Sequence, residues 1–278
     1  MRLLVTGLAG YLGRHVARSA TAGGWEVAGT VHTTPAGDLA WRALPVDIRD
    51  VAGVRTAVRA ARPDAVVHTA YRMGDDERAW SINVGGAHAV AAAAADVGAR
   101  FVHLSTDVVF SGRQGRPLRE QDAPDPVTGY GRAKAAAEEA VAATDPAALL
   151  VRTSLLYGGD GPGTHERAAL AAARGERDMA FFTDETRCPI AVPDLAAALL
   201  ELVALDLAGP LHVAGPDALD RLAFARLLTA AHGADPDSLR GAVGGPGRPK
   251  ACVLDSTRAR GVLRTPLRGV EEALGSRG

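Results

Sequence analysis

Leu3-Leu4-Val5-Thr6-Gly7-Leu8-Ala9-Gly10-Tyr11-Leu12-Gly13 is the stretch of sequence that decides the fold. An apolar run leads into three glycines spaced three residues apart, and a helical pattern follows at residues 11–22. Glycines at these positions permit a tight turn, close approach of the backbone to a phosphate, and close packing of the helix on the strand. The stretch therefore predicts a turn that binds a dinucleotide diphosphate at the start of a helix. Its predicted ligand-binding residues are Gly7, Gly10, Tyr11, Leu12 and Gly13.

Apolar runs rich in Val and Leu alternate with Ala-rich helical stretches through the first 155 residues. This alternation is typical of strand-helix-strand units whose parallel sheet is buried on both faces. The predicted strands are residues 2–5, 26–31, 43–46, 65–69, 101–105 and 148–152, and the predicted helices are 11–22, 51–61, 77–96 and 129–143. The predicted fold class is α/β, a doubly wound parallel sheet of the Rossmann type. Ligands of such sheets bind at the carboxyl ends of the strands.

A glycine-rich stretch at residues 158–163 indicates a domain boundary. Beyond it, an apolar helix at 193–205 and a strand at 211–214 are predicted to return the chain to the main sheet. We expect a dinucleotide-binding domain of residues 1–155 with a return segment at about 191–215. A smaller, interleaved substrate lobe would comprise 156–190 and 216–278. This arrangement predicts a ligand cleft between the lobes.

The composition bounds the class of partner. A net charge of -1 gives no electrostatic reason to expect nucleic acid or an anionic membrane as a partner, so we expect a small-molecule substrate. There is neither a basic and apolar leader nor an apolar run of about 20 residues, which favours a cytoplasmic protein. The two cysteines, Cys188 and Cys252, lack metal-ligand spacing. We therefore expect buried or idle thiols and no metal.

A Tyr-x-x-x-Lys pair points to chemistry. Tyr130 and Lys134 lie four residues apart, which places them on one face of a helix, and Lys134 is one of only two lysines. A tyrosine is a poor proton donor at neutral pH unless a nearby cation lowers its pKa, and Lys134 supplies one. Thr106, at the end of a predicted strand, is placed to donate a second hydrogen bond to the same oxygen. The three residues predict reduction of a carbonyl group.

The ends of the other strands supply candidate cofactor contacts. Val31-His32-Thr33-Thr34 ends the second strand without the carboxylate that would meet a free ribose hydroxyl and repel a phosphate, although no arginine follows directly. This favours NADP(H) over NAD(H), which stays open. Asp47 and Ile48 follow the third strand, where they would flank an adenine ring, but Asp47 fits a helix cap nearly as well. The cofactor contacts predicted beyond the glycine turn are His32, Thr33, Asp47, Ile48, Ala70, Tyr71, Tyr130 and Lys134.

Several longer motifs carry a family resemblance. Ser105-Thr106-Asp107-Val108-Val109-Phe110-Ser111-Gly112 resembles the Ser-Thr-Asp-Tyr-Val-Phe-x-Gly block of the extended short-chain dehydrogenase/reductases, within which the dTDP-4-dehydrorhamnose reductases are the most similar. Tyr130-Gly131-Arg132-Ala133-Lys134 and Val151-Arg152-Thr153-Ser154-Leu155-Leu156-Tyr157-Gly158 resemble later blocks of the same proteins. The resemblance runs nearly from end to end.

The resemblance implies roles for individual residues. Tyr130 would donate the proton, Lys134 would activate it and bind a ribose, and Thr106 would be the second donor to the keto oxygen. Asn83 would be structural or near the cofactor. The substrate-binding candidates are Asp107, Val108, Arg187 and Arg248, the arginines because a guanidinium fork suits the oxygens of a sugar-nucleotide diphosphate. A homodimer is compatible with the resemblance.

The expected activity is NAD(P)H-dependent reduction of a keto group on a 4-keto nucleotide sugar. Two segments depart from the reductase pattern, Gly163-Thr164-His165-Glu166 and Arg187-Cys188-Pro189-Ile190, so another 4-keto sugar or an unrelated carbonyl stays open as substrate. A nucleotide-sugar epimerase would use the same Tyr and Lys. A non-catalytic alternative is a regulatory subunit similar to that of methionine adenosyltransferase.

Overall fold

A computed structural model describes residues 1–33 and 39–275 of the chain. Thr34, which ends the predicted cofactor stretch after the second strand, lies outside the described residues, as do the last three residues of the predicted substrate lobe.

The chain order alternates strands and helices, as the apolar periodicity predicted. The strands are β1 Arg2–Thr6, β2 Glu26–Val31, β3 Arg42–Pro45, β4 Ala65–His68, β5 Arg100–Thr106, β6 Leu149–Thr153, β7 Leu156–Tyr157, β8 Ala180–Phe182, β9 Thr186–Arg187, β10 Ile190–Ala191, β11 Gly209–His212, β12 Leu219–Asp220 and β13 Arg240–Ala242. The α-helices are α1 Tyr11–Ala22, α2 Val51–Ala61, α3 Glu77–Trp80, α4 Ala87–Ala95, α5 Gly129–Thr144, α6 Thr164–Ala173, α7 Val192–Val203, α8 Arg221–Ala231, α9 Thr257–Val262 and α10 Val270–Gly275.

Seven strands form one sheet in the order β11-β6-β5-β4-β1-β2-β3. The pairings of β1 with β2 and β4, of β2 with β3, and of β4 with β5 are parallel. Strand order reverses next to β1, so the glycine turn after β1 lies at the position where doubly wound sheets bind ligands. The predicted fold class is confirmed. The return strand joins this sheet beside β6, at Gly209–His212 rather than 211–214.

The helix predicted at residues 77–96 is interrupted. A π-helical turn at Ser81–Gly86 separates α3 from α4. Asn83 lies in this turn, and its amide receives a hydrogen bond from the Arg72 nitrogen at 3.0 Å and donates one to the Arg72 oxygen at 2.8 Å. The wider turn therefore lets one side chain fix the backbone that follows β4. A helical apolar pattern does not reveal a single widened turn, because the residues on either side keep helical spacing.

Two compact units divide the chain by contacts. The first comprises 1–106, 129–152 and 196–211, and the second comprises 107–128, 153–195 and 212–278. The core of the first unit consists mostly of Ala and Val around the ring of Phe101, whereas the core of the second contains the aromatic rings of Tyr157, Phe181 and Phe224. Residues 107–128, assigned to the first domain on sequence, make their contacts within the second unit; the predicted interleaved domains stay a prediction. Within the described residues, no helix is both long and apolar enough to span a membrane.

Candidate active site

The glycine turn after β1 has room for backbone only. Gly7 has φ +71°, and a Cβ on it would lie 3.0 Å from the backbone of Ala70. A Cβ on Gly13 would lie 2.3 Å from the Gly7 oxygen, closer than real Cβ atoms come. Gly10 precedes α1 and supplies no side-chain cap, and the first turn of that helix carries no acidic residue. No side chain caps this helix start, so its backbone amides fit a dinucleotide diphosphate.

The neighbouring residues of this turn differ in role. Leu12 is buried in the core, with 8% of its surface exposed, so its side chain packs rather than facing a ligand. Tyr11 is partly exposed, and its ring meets the His15 ring edge-on at 5.2 Å.

The ends of β2 and β3 bring together a small charged group. His32 and Thr33 are exposed, and the His32 Nε2 lies 4.0 Å from a carboxylate oxygen of Asp47. Asp47 accepts hydrogen bonds from Arg49 at 2.5–3.0 Å, which lower its pKa to about 2. The α2 cap is Asp50, which accepts from the Gly53 nitrogen at 3.1 Å, so the alternative that Asp47 caps this helix is wrong. Sequence reasoning missed Arg49, because no arginine directly follows β2.

Ile48, the other residue predicted near an adenine ring, is a core residue with 8% of its surface exposed. It packs so closely on the π-helical turn that a Cβ on Gly86 would lie 2.6 Å from its Cδ1. Its burial leaves little of the side chain to touch a ligand.

The segment after β4 lies against the predicted proton donor. The rings of Tyr71 and Tyr130 have centroids 6.0 Å apart at 56°. Tyr71 is 58% exposed, whereas Tyr130 is partly buried. The Ala70 nitrogen donates to Thr6 Oγ1 at 3.4 Å, which ties this segment to the strand before the glycine turn.

The predicted catalytic residues lie on β5 and α5. Thr106 ends β5, Tyr130 is the second residue of α5, and Lys134 follows one turn later. Lys134 is only 3% exposed, and its Nζ lies 2.5 Å from the Leu104 oxygen and 3.1 Å from His103 Nε2. Burial lowers the pKa of Lys134 to about 8, and the negative charge of Glu138 opposes that shift. The ammonium is thus fixed on the strand that ends at Thr106.

Buried charges in the second unit surround Arg187. Its Nε lies 3.7 Å from Asp107 Oδ2, and it donates to the oxygens of Lys250 at 2.6 Å and Pro249 at 3.3 Å. Glu185 lies 3.5 Å from the same guanidinium, which is 3% exposed. Arg187 was predicted to bind phosphate, and in the structure its guanidinium faces these internal acceptors.

Asp107 is also held from a second side, because Ser154 donates a 2.6 Å hydrogen bond to its carboxylate. Arg248 pairs with Glu185 and lies 4.2 Å over the Phe182 ring, with 45% of its side chain exposed. Val108 lies in the 3₁₀ turn Asp107–Val109 and is partly exposed.

A third arginine of this unit went unnoticed in the sequence. Arg221 begins α8, and the antiparallel pairing of Leu219 with Arg187 carries it toward Glu185. Its hydrogen-bond partner is the Nδ1 of His165 at 3.4 Å, a ring whose pKa burial lowers to about 3. Arg221 is therefore a partly buried cation beside a neutral ring. No sequence signal marked it, because no strand was predicted at Leu219–Asp220.

Comparison with known proteins assigns the family. The family model described as RmlD substrate binding domain matches residues 1–276. The chain belongs to the RmlD substrate-binding-domain family.

Relatives of this family member match along nearly the whole chain. A dTDP-4-dehydrorhamnose reductase of Mycolicibacterium smegmatis is 37% identical, with 98% of this chain and 84% of the relative covered. A dTDP-4-keto-6-deoxy-D-glucose reductase of Streptomyces niveus is 35% identical, with coverages of 98% and 95%. The crystal structure of a dTDP-4-dehydrorhamnose reductase from Bacillus anthracis in complex with NADP superposes with a TM-score of 0.83, at 26% identity and coverages of 99% and 96%.

Both segments that depart from the reductase pattern lie in the second unit of this RmlD-family chain. In the first, Glu166 is fully buried and accepts a 2.6 Å hydrogen bond from the Gly163 nitrogen, which caps α6. His165, the partner of Arg221, comes from the same segment. In the second, Arg187 and Cys188 are both buried. The departures therefore alter the packing and charge of this unit and leave Thr106, Tyr130 and Lys134 unchanged.

Proposed function

We propose that this chain is an NADPH-dependent reductase of the extended short-chain dehydrogenase/reductase type, which converts the keto group of a 4-keto nucleotide sugar into a hydroxyl. One observation carries the proposal: a buried lysine one helical turn from Tyr130, bonded to the strand that ends at Thr106. Burying an ammonium costs free energy, since burial disfavours the charged form, so the presence of Lys134 at this place favours a functional role for its charge.

The chain's own residues handle the proton. The Lys134 ammonium favours the phenolate of Tyr130, so the phenol donates its proton readily to an oxygen on which negative charge builds. Thr106 gives the same oxygen a second hydrogen bond. NADPH, when bound, supplies the hydride to the carbonyl carbon. The keto group then gains one hydride and one proton and becomes a secondary alcohol.

The proposed cofactor site runs from His32, past the glycine turn, to Lys134 and Tyr71. Gly7, Gly10 and Gly13 would hold the diphosphate, and Lys134 would bind the nicotinamide ribose. NADPH is favoured over NADH because no carboxylate directly follows β2 in the sequence and because Arg49, 39% exposed, offsets the charge of Asp47 beside His32. Tyr71, beside the Tyr130 ring, is proposed to line the nicotinamide end.

The proposed substrate follows from charge in the second unit and from the names of the relatives. Three arginines, Arg187, Arg221 and Arg248, share two carboxylates, those of Asp107 and Glu185. The surplus positive charge rests on Arg221, which faces a neutral imidazole. A diphosphate linked to the sugar would neutralise it. We therefore place Arg221 beside Arg248 as a proposed diphosphate ligand.

A direct assay tests the activity. The purified chain is mixed with NADPH and a panel of 4-keto nucleotide sugars and simple ketones, and absorbance at the nicotinamide band is followed. Stoichiometric NADPH oxidation with a nucleotide sugar supports the proposal. If only simple ketones are turned over, the proposed nucleotide-sugar substrate is wrong and the substrate is another carbonyl compound.

Two alternatives give different results in that assay. An epimerase would convert a sugar with no net consumption of NADPH. A regulatory subunit would copurify with a synthetase and would keep its function in the Tyr130→Phe variant. The retention of Thr106, Tyr130 and Lys134 favours catalysis. A cytoplasmic location and a homodimer remain predictions from the sequence.

A further inference from the structure

A row of polar side chains crosses the buried sheet of the first unit. Thr6, His68 and His103 are partners in the registers of β1 with β4 and of β4 with β5, so they lie side by side on neighbouring strands. Their surfaces are 0%, 1% and 0% exposed. Because parallel strands of this kind are usually apolar on both faces, such a row calls for an explanation.

The row is continuous from the glycine turn to the lysine. Thr6, the residue before Gly7, lies 2.7 Å from the His68 Nδ1 through its Oγ1. The His68 and His103 rings stack with centroids 5.2 Å apart at 16°. The His103 Nε2 then lies 3.1 Å from Lys134 Nζ.

The Lys134 ammonium has no carboxylate of its own as an ion-pair partner among the described residues. The nearby Glu138 is engaged by Arg152, whose nitrogens lie 2.7–3.2 Å from the Glu138 oxygens. The contacts of the ammonium within the described chain are the Leu104 oxygen and His103, both neutral acceptors. An ammonium has three N–H donors, so these two acceptors leave one for other partners.

The geometry fixes the protonation of His103. An ammonium only donates, so Nε2 must accept and the ring's single proton lies on Nδ1. Within the described residues this Nδ1 has no hydrogen-bond partner. Burial and the Lys134 charge lower the pKa of His103 well below its usual value, so the ring stays neutral. His68 is neutral for the same reasons, its pKa lowered to about 3.

We propose that His103, supported by the stacked His68 and by Thr6, is a positioning residue that holds Lys134 in its ammonium form next to Tyr130. It does not touch the reacting atoms; it acts through Lys134. The role rests on the proposed function, because an ammonium at this place serves the proton donor. A hydrogen bond to the charged form of Lys134 opposes the effect of burial on its pKa, so loss of the acceptor moves that pKa down.

Two substitutions of His103 separate positioning from packing. In His103→Gln the amide oxygen can occupy the place of Nε2 and keep the acceptor, whereas the shorter His103→Asn cannot reach it. We expect the alkaline limb of kcat/KM to move down by about one pH unit in the Asn variant and to stay in the Gln variant. The Asn variant would then be about tenfold slower near pH 9 and would match the wild type near pH 6.

The charged and titratable groups that face Lys134 are the same in both variants. Glu138, Arg152 and Tyr130 are unchanged in both variants, so a shift of the limb reports the loss of the acceptor. His88→Gln is the matched control, since His88 on α4 is exposed and bonds Thr144 at 2.8 Å. A limb that stays in place in both His103 variants, or a loss of activity equal at all pH values, overturns the proposal.

A second measurement requires no turnover. In ¹⁵N-histidine NMR spectra of the full chain, with the His103 signal identified by its loss in His103→Gln, the proposal expects His103 to be a neutral imidazole with an unprotonated Nε2 from pH 5 to pH 7, where Lys134 is an ammonium. A His103 that carries its proton on Nε2, or that titrates near pH 6.5, contradicts it. Absence of reductase activity with this tautomer present would instead count against the proposed function alone.

Discussion

In the first unit the buried ammonium of Lys134 is held by neutral acceptors, whereas in the second the buried guanidinium of Arg187 lies between two carboxylates. A cation neutralised by carboxylates makes a rigid internal support, and little of its field reaches a ligand. The positive electrostatic potential of a cation held by neutral groups is not neutralised locally, so it acts on a ligand that binds beside it. These two buried cations thus serve different ends, Lys134 for the proposed chemistry and Arg187 for architecture, as Arg152 with Glu138 does in the first unit.

The largest effect is expected where that contrast is broken in the second unit. Arg187→Met would leave the buried Asp107 carboxylate without its cation and Glu185 with Arg248 alone, which should lower the free energy of unfolding by about 3 kcal/mol. Chemical denaturation of the full chain measures it, with Arg226→Met on the exposed face of α8 as control. Unchanged stability together with a raised KM for a nucleotide sugar would instead make Arg187 a phosphate ligand.

The second-largest effect is expected in the first unit, on turnover. Tyr130→Phe removes the phenol that Lys134 activates, so turnover should fall by at least about 100-fold while NADPH affinity stays nearly constant. Initial rates and a fluorescence titration with NADPH separate the two quantities. Turnover close to that of the wild type would assign the proton to another donor.

The sequence predicted the local elements of both units, but it could not predict the contacts that only the fold brings together. The glycine turn, the strands and the Tyr-x-x-x-Lys pair are local patterns, so their spacing predicted β1, α1 and α5. The partners of Arg187 come from residues 107, 185, 249 and 250, which only the fold brings together. A long-range ion pair leaves no local pattern, and a buried arginine looks like any other in a chain with 31 basic residues.

The same limit explains the missed neighbours of Lys134. His68 and His103 each stand in a predicted strand, but their stacking depends on the register between β4 and β5. Periodicity predicts that a strand exists without fixing which residue lies beside it. The role of Arg49 was likewise hidden, since it meets the end of β2 only through Asp47.

A smaller effect sharpens the comparison at Arg221, the cation of the second unit that faces a neutral ring. Arg221→Gln should raise the dissociation constant for dTDP about tenfold, because a guanidinium on a phosphate contributes a charge-assisted hydrogen bond. Arg221→Lys should lie between, as it keeps the charge and loses the fork. Isothermal titration calorimetry measures both variants.

Arg226→Gln, on the same helix and paired with Asp237 at 3.9 Å, is the control for these two variants. Equal dTDP affinity in Arg221→Gln and wild type would mean that Arg221, like Arg187, has a structural role and does not bind the diphosphate.

The smallest effect is expected at the cofactor end of the first unit. Arg49 is 39% exposed and shares its charge with Asp47, so its attraction for a 2′-phosphate is partly cancelled and screened by salt. Arg49→Gln should raise the KM for NADPH about threefold at low salt and leave the KM for NADH unchanged. Arg55→Gln, at a more exposed arginine that pairs with Asp96 at 3.5 Å, should change neither. A parallel rise in both KM values would mean that Arg49 supports the loop rather than the phosphate, since only NADPH carries the charge that this arginine would recognise.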